Sequence, residues 1–502
     1  MASANNPHSW PQTSPLGALG PHVPGAALPA KVSPRAANDV TDKRLDRLED
    51  VFERFQLKNG DVLSFHHHYR NGDSVMNSVI ALAQRRGLRG LTLAPSSIFP
   101  VHAPLVSALE DGTIAHIATD YMRGPVADAV QAGKLPGVAI LQSHGGRARA
   151  LASGALRVDA AFIAAPVARA CGDATGRAEP AACGPLGYAA VDALYARQSV
   201  VVAGKLQDAR LACCDIEGRF IDAVVEVETA GDPSGLATAT TAPSRTAQAR
   251  AIAALTADVV AASGLLQEGL CLQSGAGGFS LACVPEIGRA MVAQGVTGGF
   301  LSGGITGAHV ALLRAGLFRE IHDVQCFDRA AVASAIETPS HHMMSAARYA
   351  SPLENNIVSQ LDVMLLGAVE VDCGFNVNVA LGAQGRILGG PGGHPDAAAG
   401  ASLSIVTTDL SAGGHAKIVK EVQTITTPGA DVDAIVTPEA VAINPARPEL
   451  ARACARDGLP VIKVEDLAAR AAQAGAVPTA SARPERPKVF IEHREGGVLD
   501  VF

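Results

Sequence analysis

Two similar open, mainly parallel α/β domains are what this 502-residue sequence predicts, and three observations carry the prediction. An apolar run from Leu270 turns into Gly275-Ala-Gly-Gly278, a helix-like stretch comes next from Ser280 to about Gln294, and Gly298-Gly-Phe-Leu-Ser-Gly-Gly-Ile-Thr306 closes the piece. Strand, glycine turn, helix, strand, glycine turn is the order of a parallel α/β unit. Residues 61–97 share that layout with different residues, which suggests two variants of one ancestral fold. Residues 229–246, TAGDPSGLATATTAPSRT, form the clearest linker by composition. The resulting division is a disordered arm at 1–40, a first domain at 41–232 and a second at 233–502.

The arm is rich in Pro, Ala, Ser and Asn and has no usable periodicity. Leu45, Leu48, Phe52 and Phe55 then recur at helical spacing, predicting an amphipathic helix over 42–56. Strands are expected at 62–65, 91–94, 114–117, 138–141, 158–163, 199–202 and 223–227, with helices at 75–86, 106–109, 125–132 and 148–151. The Gly- and Pro-rich run 171–186 reads as loop. Past the linker, a helix is expected at 247–263, then helix 308–317 and strands at 321–327, 363–371, 375–379, 403–406, 432–436 and 459–464, the last two finishing the sheet. Residues 475–487 read as tail.

Composition excludes several classes. Apolar residues make up 48%, enough for a large core, while aromatics are only 4% with one Trp, so stacking platforms for nucleic acid are not expected. A net charge of −7 also disfavours a polyanion partner. Nine cysteines, an odd number without a C-x-x-C, argue for reduced thiols in a cytoplasm. Neither a basic-then-apolar leader nor an apolar run of membrane-spanning length is found, so no membrane is expected.

Ligands of parallel sheets bind outside the carboxyl ends of the strands, so the polar turns at those ends hold the candidate residues. Gly275, Gly277 and Gly278, and the near-identical turn Gly390-Pro-Gly392-Gly393, would let backbone N–H groups approach a ligand. Spacing alone leaves tight strand-to-helix packing as an equal reading. The dinucleotide fingerprint and the P-loop are both absent. Ser302 beside Gly303 lacks the G-x-S-x-G spacing. In His66-His67-His68-Tyr69-Arg70-Asn71-Gly72, strand neighbours point to opposite faces and no Cys or carboxylate pair completes a zinc set, so metal is not favoured. The other reading is anion recognition by His66, His67, Arg70 and the Gly72 backbone, since an arginine can fork onto a carboxylate. Arg123 and the Ser143-His144-Gly-Gly-Arg147 turn, each between a strand and a helix, are further anion candidates. Asn376 and Asn378 could bond amides or simply end a strand. Ser96, Ser97 and His102 are weaker candidates, and Glu268 is at the wrong strand end to be a nucleophile.

LQSGAGGFSLA followed by GGFLSGGITGAHVALLRAGL resembles the second half of family I coenzyme A transferases, most closely the citrate lyase alpha branch. SFHHHYRNGD, SHGGR and NPARPEL agree in order, so the resemblance runs from about residue 42 to the end. It implies the coenzyme A transferase type of α/β fold and a citrate coenzyme A transferase activity, in which acetyl-carrier plus citrate gives citryl-carrier plus acetate. It also implies that Gly303 stands where covalent transferases carry a glutamate nucleophile, so that acyl exchange runs through a mixed anhydride. On this resemblance Gly390, Gly392, Gly393, Gly303 and Ser302 form the catalytic set. His66, His67, Arg70, Gly72, His144 and Arg147 bind substrate, with Arg123 added from its placement alone, and Gly275, Gly277, Gly278, Asn376 and Asn378 hold the pantetheine arm. No tightly bound cofactor is implied; the thioester comes from acetyl-coenzyme A or from the dephospho-coenzyme-A-derived arm of an acyl carrier protein. The implied partners are a beta (citryl-carrier lyase) and a gamma (acyl carrier) subunit in a hetero-oligomer. Another carboxylate transferase or acyl-CoA hydrolase, citramalate- or acetate-specific, and a non-catalytic carrier scaffold remain the alternatives.

Overall fold

A computed structural model describes residues 19–237, 241–477 and 486–502. Most of its strands fall into two large sheets. The first holds β1 (Arg44–Leu45), β2 (Val62–Phe65), β3 (Leu91–Pro95), β4 (Ile114–Thr119), β5 (Ala139–Leu141), β6 (Ala160–Ala165), β7 (Gln198–Ala203) and β8 (Ala223–Glu226). The second holds β9 (Leu272–Ser274), β10 (Gly298–Ile305), β11 (Phe318–Cys326), β12 (His341–Met343), β13 (Val363–Gly367), β14 (Leu403–Thr407), β15 (Ala434–Val436) and β16 (Val441–Ile443). The chain then returns to the first sheet as β17 (Val489–Glu492) and β18 (Val498–Val501). Two helices matter most for the site: α1 (His144–Ala152), after β5, and α2 (Gly278–Gln294), after β9.

The sheet orders are β1-β8-β7-β6-β2-β3-β4-β5-β17-β18 and β12-β11-β10-β9-β13-β14-β15-β16. Within these two sheets only the β17–β18 and β15–β16 pairs are antiparallel. Central strands such as Ala160–Ala165 are buried along their whole length, as strands covered on both faces must be, and their sequences are accordingly near-continuous apolar runs.

Three expectations need correction, and a fourth falls mostly outside the described residues. The described part of the arm, 19–40, does not float. Pro21 bridges Val498, the Val32 N–H donates to the Ala152 carbonyl (2.8 Å), and Arg35 pairs with Asp222 (2.5 Å); residues 1–18 lie outside the described residues. The helix expected over 42–56 is β1 and then a shorter helix, Leu48–Arg54. The stretch 459–464 makes only an isolated bridge from Val461 to Val441, so β16, not 459–464, ends the second sheet. The tail expected at 475–487 overlaps 478–485, which lie outside the described residues, and the chain beyond it is structured. There β17 pairs with β5 through Val489↔Ala139 and Ile491↔Leu141, so the first sheet takes its last two strands from the C-terminal residues. A boundary drawn from linker composition cannot see such a return.

The two units share a core. One apolar cluster joins Ala148, Leu151 and Tyr188 of the first unit to Val324, Tyr349, Ala350 and Ala397 of the second. Polar pairing reinforces the joint. Ser143 bridges Gly392, the His144 N–H donates to the Gly392 carbonyl (2.9 Å), and the Gly392 N–H donates to the Asp120 carbonyl (3.1 Å). No helix among the described residues is long and apolar enough to cross a membrane.

Candidate active site

The joint between the units holds a half-open cavity of about 440 Å³, within the roughly 300–1,000 Å³ of small-ligand sites. The first unit contributes Tyr121, His144 and Tyr188; the second contributes the 273–280 turn, Gln325, Phe327, Tyr349 and the Gly390–His394 turn, among others. Among the described residues lining it, none is Asp, Glu or Cys.

Local sequence explains each wall. β9 ends at Ser274, and the glycine turn leads into α2, capped at Gly277, whose lack of a side chain leaves the first turn without a side-chain acceptor. Gly275, Gly277 and Gly278 all line the cavity. The Gly275 N–H is engaged by the Leu365 carbonyl (2.7 Å), but a Cβ on Gly277 would meet nothing within 4 Å, so that position is open toward the cavity. On the facing wall Gly390 and Gly393 line the cavity, whereas the Gly392 N–H is held by Asp120. Gly392, at φ +53, therefore ties the two units together and is not a free donor.

His144 is the first residue of α1, whose start Ser143 caps by accepting from the Gly146 N–H (2.9 Å). The His144 Nδ1 lies 2.8 Å from Asp120 Oδ2. Asp120 is fully buried, and that burial, offset by His144, leaves its carboxyl at about 6. The pairing fixes the imidazole so that Nε2 faces Gly392, 3.6 Å from where a Cβ would stand.

Arg70 is buried and sits at φ +55, an uncommon backbone state for a non-glycine residue. Its guanidinium lies over Phe99 (5.1 Å) and over Phe327 (4.6 Å), a cavity-lining ring. Its Nε has no acceptor, and no ion pair to it exists among the described residues. Burial pulls its pKa down to about 10. A buried cation with no carboxylate partner among the described residues is costly to the fold, which makes Arg70 a candidate anion ligand, although it does not itself line the cavity.

Most of the remaining candidates have other work. His67 is buried with Nδ1 2.5 Å from Ser96 Oγ, its ring 4.6 Å from that of Tyr188; burial and the nearby His144 and Arg70 keep it neutral. His66 and Arg147 both bind Asp192, at 2.7 Å and 3.0 Å, and Arg147 also reaches Ser64. The Arg147 fork is committed to a buried carboxylate, which leaves no pair of donors for a ligand. His68 donates through Nε2 to the Ala164 carbonyl of β6 at 2.8 Å. The Gly72 N–H donates to the Tyr69 carbonyl, and a Cβ there would collide with the Asp232 carbonyl oxygen, so Gly72 serves close packing against the linker. Arg123 is half-buried and does not line the cavity. Asn376 is folded onto Asp372, and Asn378 is buried between Glu370 and the Leu381 backbone; neither lines the cavity. Ser302 is fully buried within β10, its hydroxyl unpartnered, and away from the cavity lining. Gly303 does not open space for a ligand: the Gln273 carboxamide fills it, with Cδ 2.7 Å from where a Cβ would be. Ser97 donates to the Ser96 carbonyl, His102 binds Asp73 at 3.1 Å, and Glu268 pairs with Arg319 on the surface.

Sequence reasoning missed Gln273, Tyr349, Tyr188, Gln325, His394 and Lys417, all of which line the cavity. Gln273 sits two residues before the Gly275 turn, and its polarity within an apolar strand was the available signal. Lys417 is half-buried, its ammonium donating to the Ala368 carbonyl (2.6 Å), and desolvation of that end lowers its pKa to about 8. Nothing local in HAKIV marks it.

Comparison with known proteins decides the family. The citrate lyase alpha subunit model matches residues 41–502. The chain belongs to the citrate lyase alpha subunit family. It is 37% identical to the citrate lyase alpha chain of Klebsiella pneumoniae over 485 residues, covering 96% of this chain and 95% of that one. The citrate lyase alpha chain of Escherichia coli is 37% identical over 93% of this chain and 92% of its own. The crystal structure of a citrate lyase alpha subunit from Streptococcus mutans, in complex with citrate, superposes with a TM-score of 0.90 at 36% identity, covering 96% of this chain and 94% of that one. A malonate decarboxylase alpha subunit from Acinetobacter baumannii shares the fold at 14% identity, with a TM-score of 0.64 over 87% of this chain and 88% of that one. As a citrate lyase alpha subunit homologue the chain is a transferase of the coenzyme A transferase type.

Proposed function

We propose that the inter-unit cavity exchanges acetyl for citryl on an acyl-carrier thioester, with citrate as the incoming carboxylate and no covalent enzyme intermediate. The observation that carries this reading is the lining itself. It offers side-chain donors from Gln273 and Tyr349, the Lys417 ammonium and glycine-walled backbone, with the Arg70 guanidinium stacked on the lining ring of Phe327 but not itself in the lining, and among the described lining residues no carboxylate or thiol to act as nucleophile.

A citrate carboxylate oxygen attacks the thioester carbonyl carbon, and the carbonyl electron pair moves onto oxygen. Collapse breaks the C–S bond, the carrier thiolate leaves with that pair, and an acetic–citric anhydride remains. The thiolate then attacks the citryl carbonyl, forming a new C–S bond as acetate departs. No net proton moves: the carboxylate is already an anion near pH 7, and the thiolate is released as one. The site must instead exclude water, which would hydrolyse the anhydride. The position between two packed units leaves only part of the cavity open to solvent. Arg70 is our choice for one citrate carboxylate, and His144, held by Asp120, for a second. The open wall at Gly277 and the uncapped start of α2 suit the thioester arm, supplied by acetyl-coenzyme A or by a carrier protein's dephospho-coenzyme-A-derived group. A lyase subunit and an acyl carrier subunit are the partners this reading requires, and a cytoplasmic location suits its substrates.

The test is exchange by the purified chain. Acetyl-carrier or acetyl-coenzyme A, incubated with labelled citrate, should yield labelled citryl thioester and free acetate, with citramalate as the competing acid. Hydroxylamine or borohydride treatment should trap no acyl group on the protein. A trapped glutamyl thioester, or failure to exchange with either donor, would overturn the reading.

A further inference from the structure

We propose that Tyr349 donates its phenolic hydrogen to the acyl oxygen on which charge develops, and that Gln273 aims that hydrogen. The assignment deepens the citrate exchange reading and rests on it. Gln273 stands on β9 and Tyr349 on the short helix Ala346–Ala350, and both line the cavity. Gln273 Nε2 donates to the Tyr349 hydroxyl oxygen at 2.7 Å. A phenol whose oxygen accepts that bond keeps its own hydrogen for another acceptor.

Two glycines admit the pair. A Cβ on Gly393 would lie 2.6 Å from the Tyr349 hydroxyl oxygen, so the hydroxyl reaches the very turn that walls the cavity. A Cβ on Gly303 would lie 2.7 Å from Gln273 Cδ, at a backbone φ of +97 that already favours glycine. Glycine at 303 thus serves both the backbone turn and the seat of Gln273. That residue is 4% exposed, and its Oε1 has no hydrogen-bond partner among the described residues. A buried carbonyl left unpaired is unfavourable for folding, so the amide is not arranged for stability alone. Burial also raises the Tyr349 pKa, which keeps the phenol protonated at any working pH. When the thioester carbonyl becomes tetrahedral, its oxygen carries the electron pair displaced by the carboxylate. A neutral O–H fixed by Gln273 and aimed at it stabilises that charge without transferring a proton.

The test uses the full-length chain and compares Tyr349→Phe, Gln273→Met and the double variant in the citrate exchange assay. Tyr349→Phe should lower kcat about 100- to 1,000-fold, the usual effect of removing one oxyanion donor, with the KM for citrate changed less than about threefold. Gln273→Met should lower kcat about tenfold, and the double variant should be no slower than Tyr349→Phe, because the amide acts through the phenol. Unchanged far-ultraviolet dichroism and unfolding midpoint separate these effects from misfolding. If Tyr349→Phe turns over within threefold of the parent, or if the losses multiply in the double variant, the assignment is overturned. Absence of exchange by the parent chain itself would instead remove the reaction on which the assignment depends. Should Tyr349→Phe fail to fold, Gln273→Met carries the test alone: kcat unchanged overturns the proposal.

Discussion

Replacing Arg70 by Met probes the proposed citrate site at its most distinctive residue. In the free protein the guanidinium is buried, and burial brings its pKa from 12.5 to about 10. For a cation, a folded-state pKa below the unfolded one means the unfolded chain binds the proton more tightly. The cost is fully present at neutral pH and is lost only as pH rises through about 10 toward 12.5, so it amounts to about 3 kcal/mol at pH 7. Two aromatic faces return about 0.5 to 2 kcal/mol each. The left-handed backbone at residue 70 costs roughly 1–2 kcal/mol for Arg and Met alike and so drops out of the comparison. The remaining terms leave the charge within about 2 kcal/mol of neutral for folding. Arg70→Met keeps an apolar stem between the rings and removes the charge, so the unliganded variant should match or exceed the parent in urea unfolding. With citrate the order reverses. Removing one partner of a buried charge pair costs about 2–5 kcal/mol, or about 30- to 4,000-fold in affinity. Citrate should therefore raise the unfolding midpoint of the parent by mass action and leave that of the variant unmoved at the same concentration. Calorimetric binding within threefold of the parent would refute the assignment. So would an unliganded loss above about 2 kcal/mol, the size expected of a structural residue.

The same geometry sets three further outcomes. Gly303→Glu should reduce exchange at least about 100-fold, the scale of a lost oxyanion donor, because the new side chain displaces Gln273; appearance of a hydroxylamine-sensitive acyl-protein would contradict this. Lys417→Met should be more stable than the parent at pH 7. The lysine's folded pKa of about 8 lies below 10.5, so its burial cost is present below pH 8 and fades as pH rises through 10.5; urea unfolding at pH 7 and pH 10.5 should show the gap closing. Asp120→Asn should lower kcat/KM about tenfold by releasing His144 from its orientation, and should erase the acid limb expected near pH 6, where the parent's carboxyl titrates. For stability the sign is opposite. A carboxyl raised from 3.8 to about 6 costs the fold above pH 6, and that cost is relieved as pH falls toward 3.8.

Most strands were legible because buried parallel strands are apolar along their length, and Val62–Phe65, Gln198–Ala203 and Leu403–Thr407 all stand out that way. The glycine turns at 275–278 and 390–393 were legible for the same reason that they line the cavity: glycines in series after a strand have few other uses. Long-range partners were not legible. Arg147, in a polar turn before a helix, reads as an anion ligand until Asp192, 45 residues away, is seen to hold it. Asn376 and Asn378 read as amide ligands until Asp372 and Glu370 are seen to engage them. The closing hairpin was missed because it comes after a polar stretch and forms its sheet with residues far earlier in the chain, as Phe490 does with Ile140.

The SHGGR segment shows how a motif can matter to a reaction without touching it. Ser143 donates to Asp396 Oδ1 at 2.9 Å, and the Gly145 N–H donates to Asp396 Oδ2 at 2.8 Å. A Cβ on Gly145 would collide with the Ala350 carbonyl oxygen, one residue from Tyr349. Arg494, next to the returning hairpin, approaches the same Asp396 at 3.4 Å. Three separate parts of the chain thus meet at one buried carboxylate directly behind the glycine turn that walls the cavity. Because His144 leaves this cluster toward the cavity while Gly145 locks the units together, the joint sets how far apart the two walls stand, and under the proposed assignment that is the distance between the citrate side and the thioester side. A reaction in which two anions share one acyl group depends on that distance. Gly145→Ala should therefore disable exchange by displacing Tyr349 and the 390–393 turn together, although residue 145 has no chemical role of its own; exchange at the parental rate in that variant would show that the joint tolerates the shift.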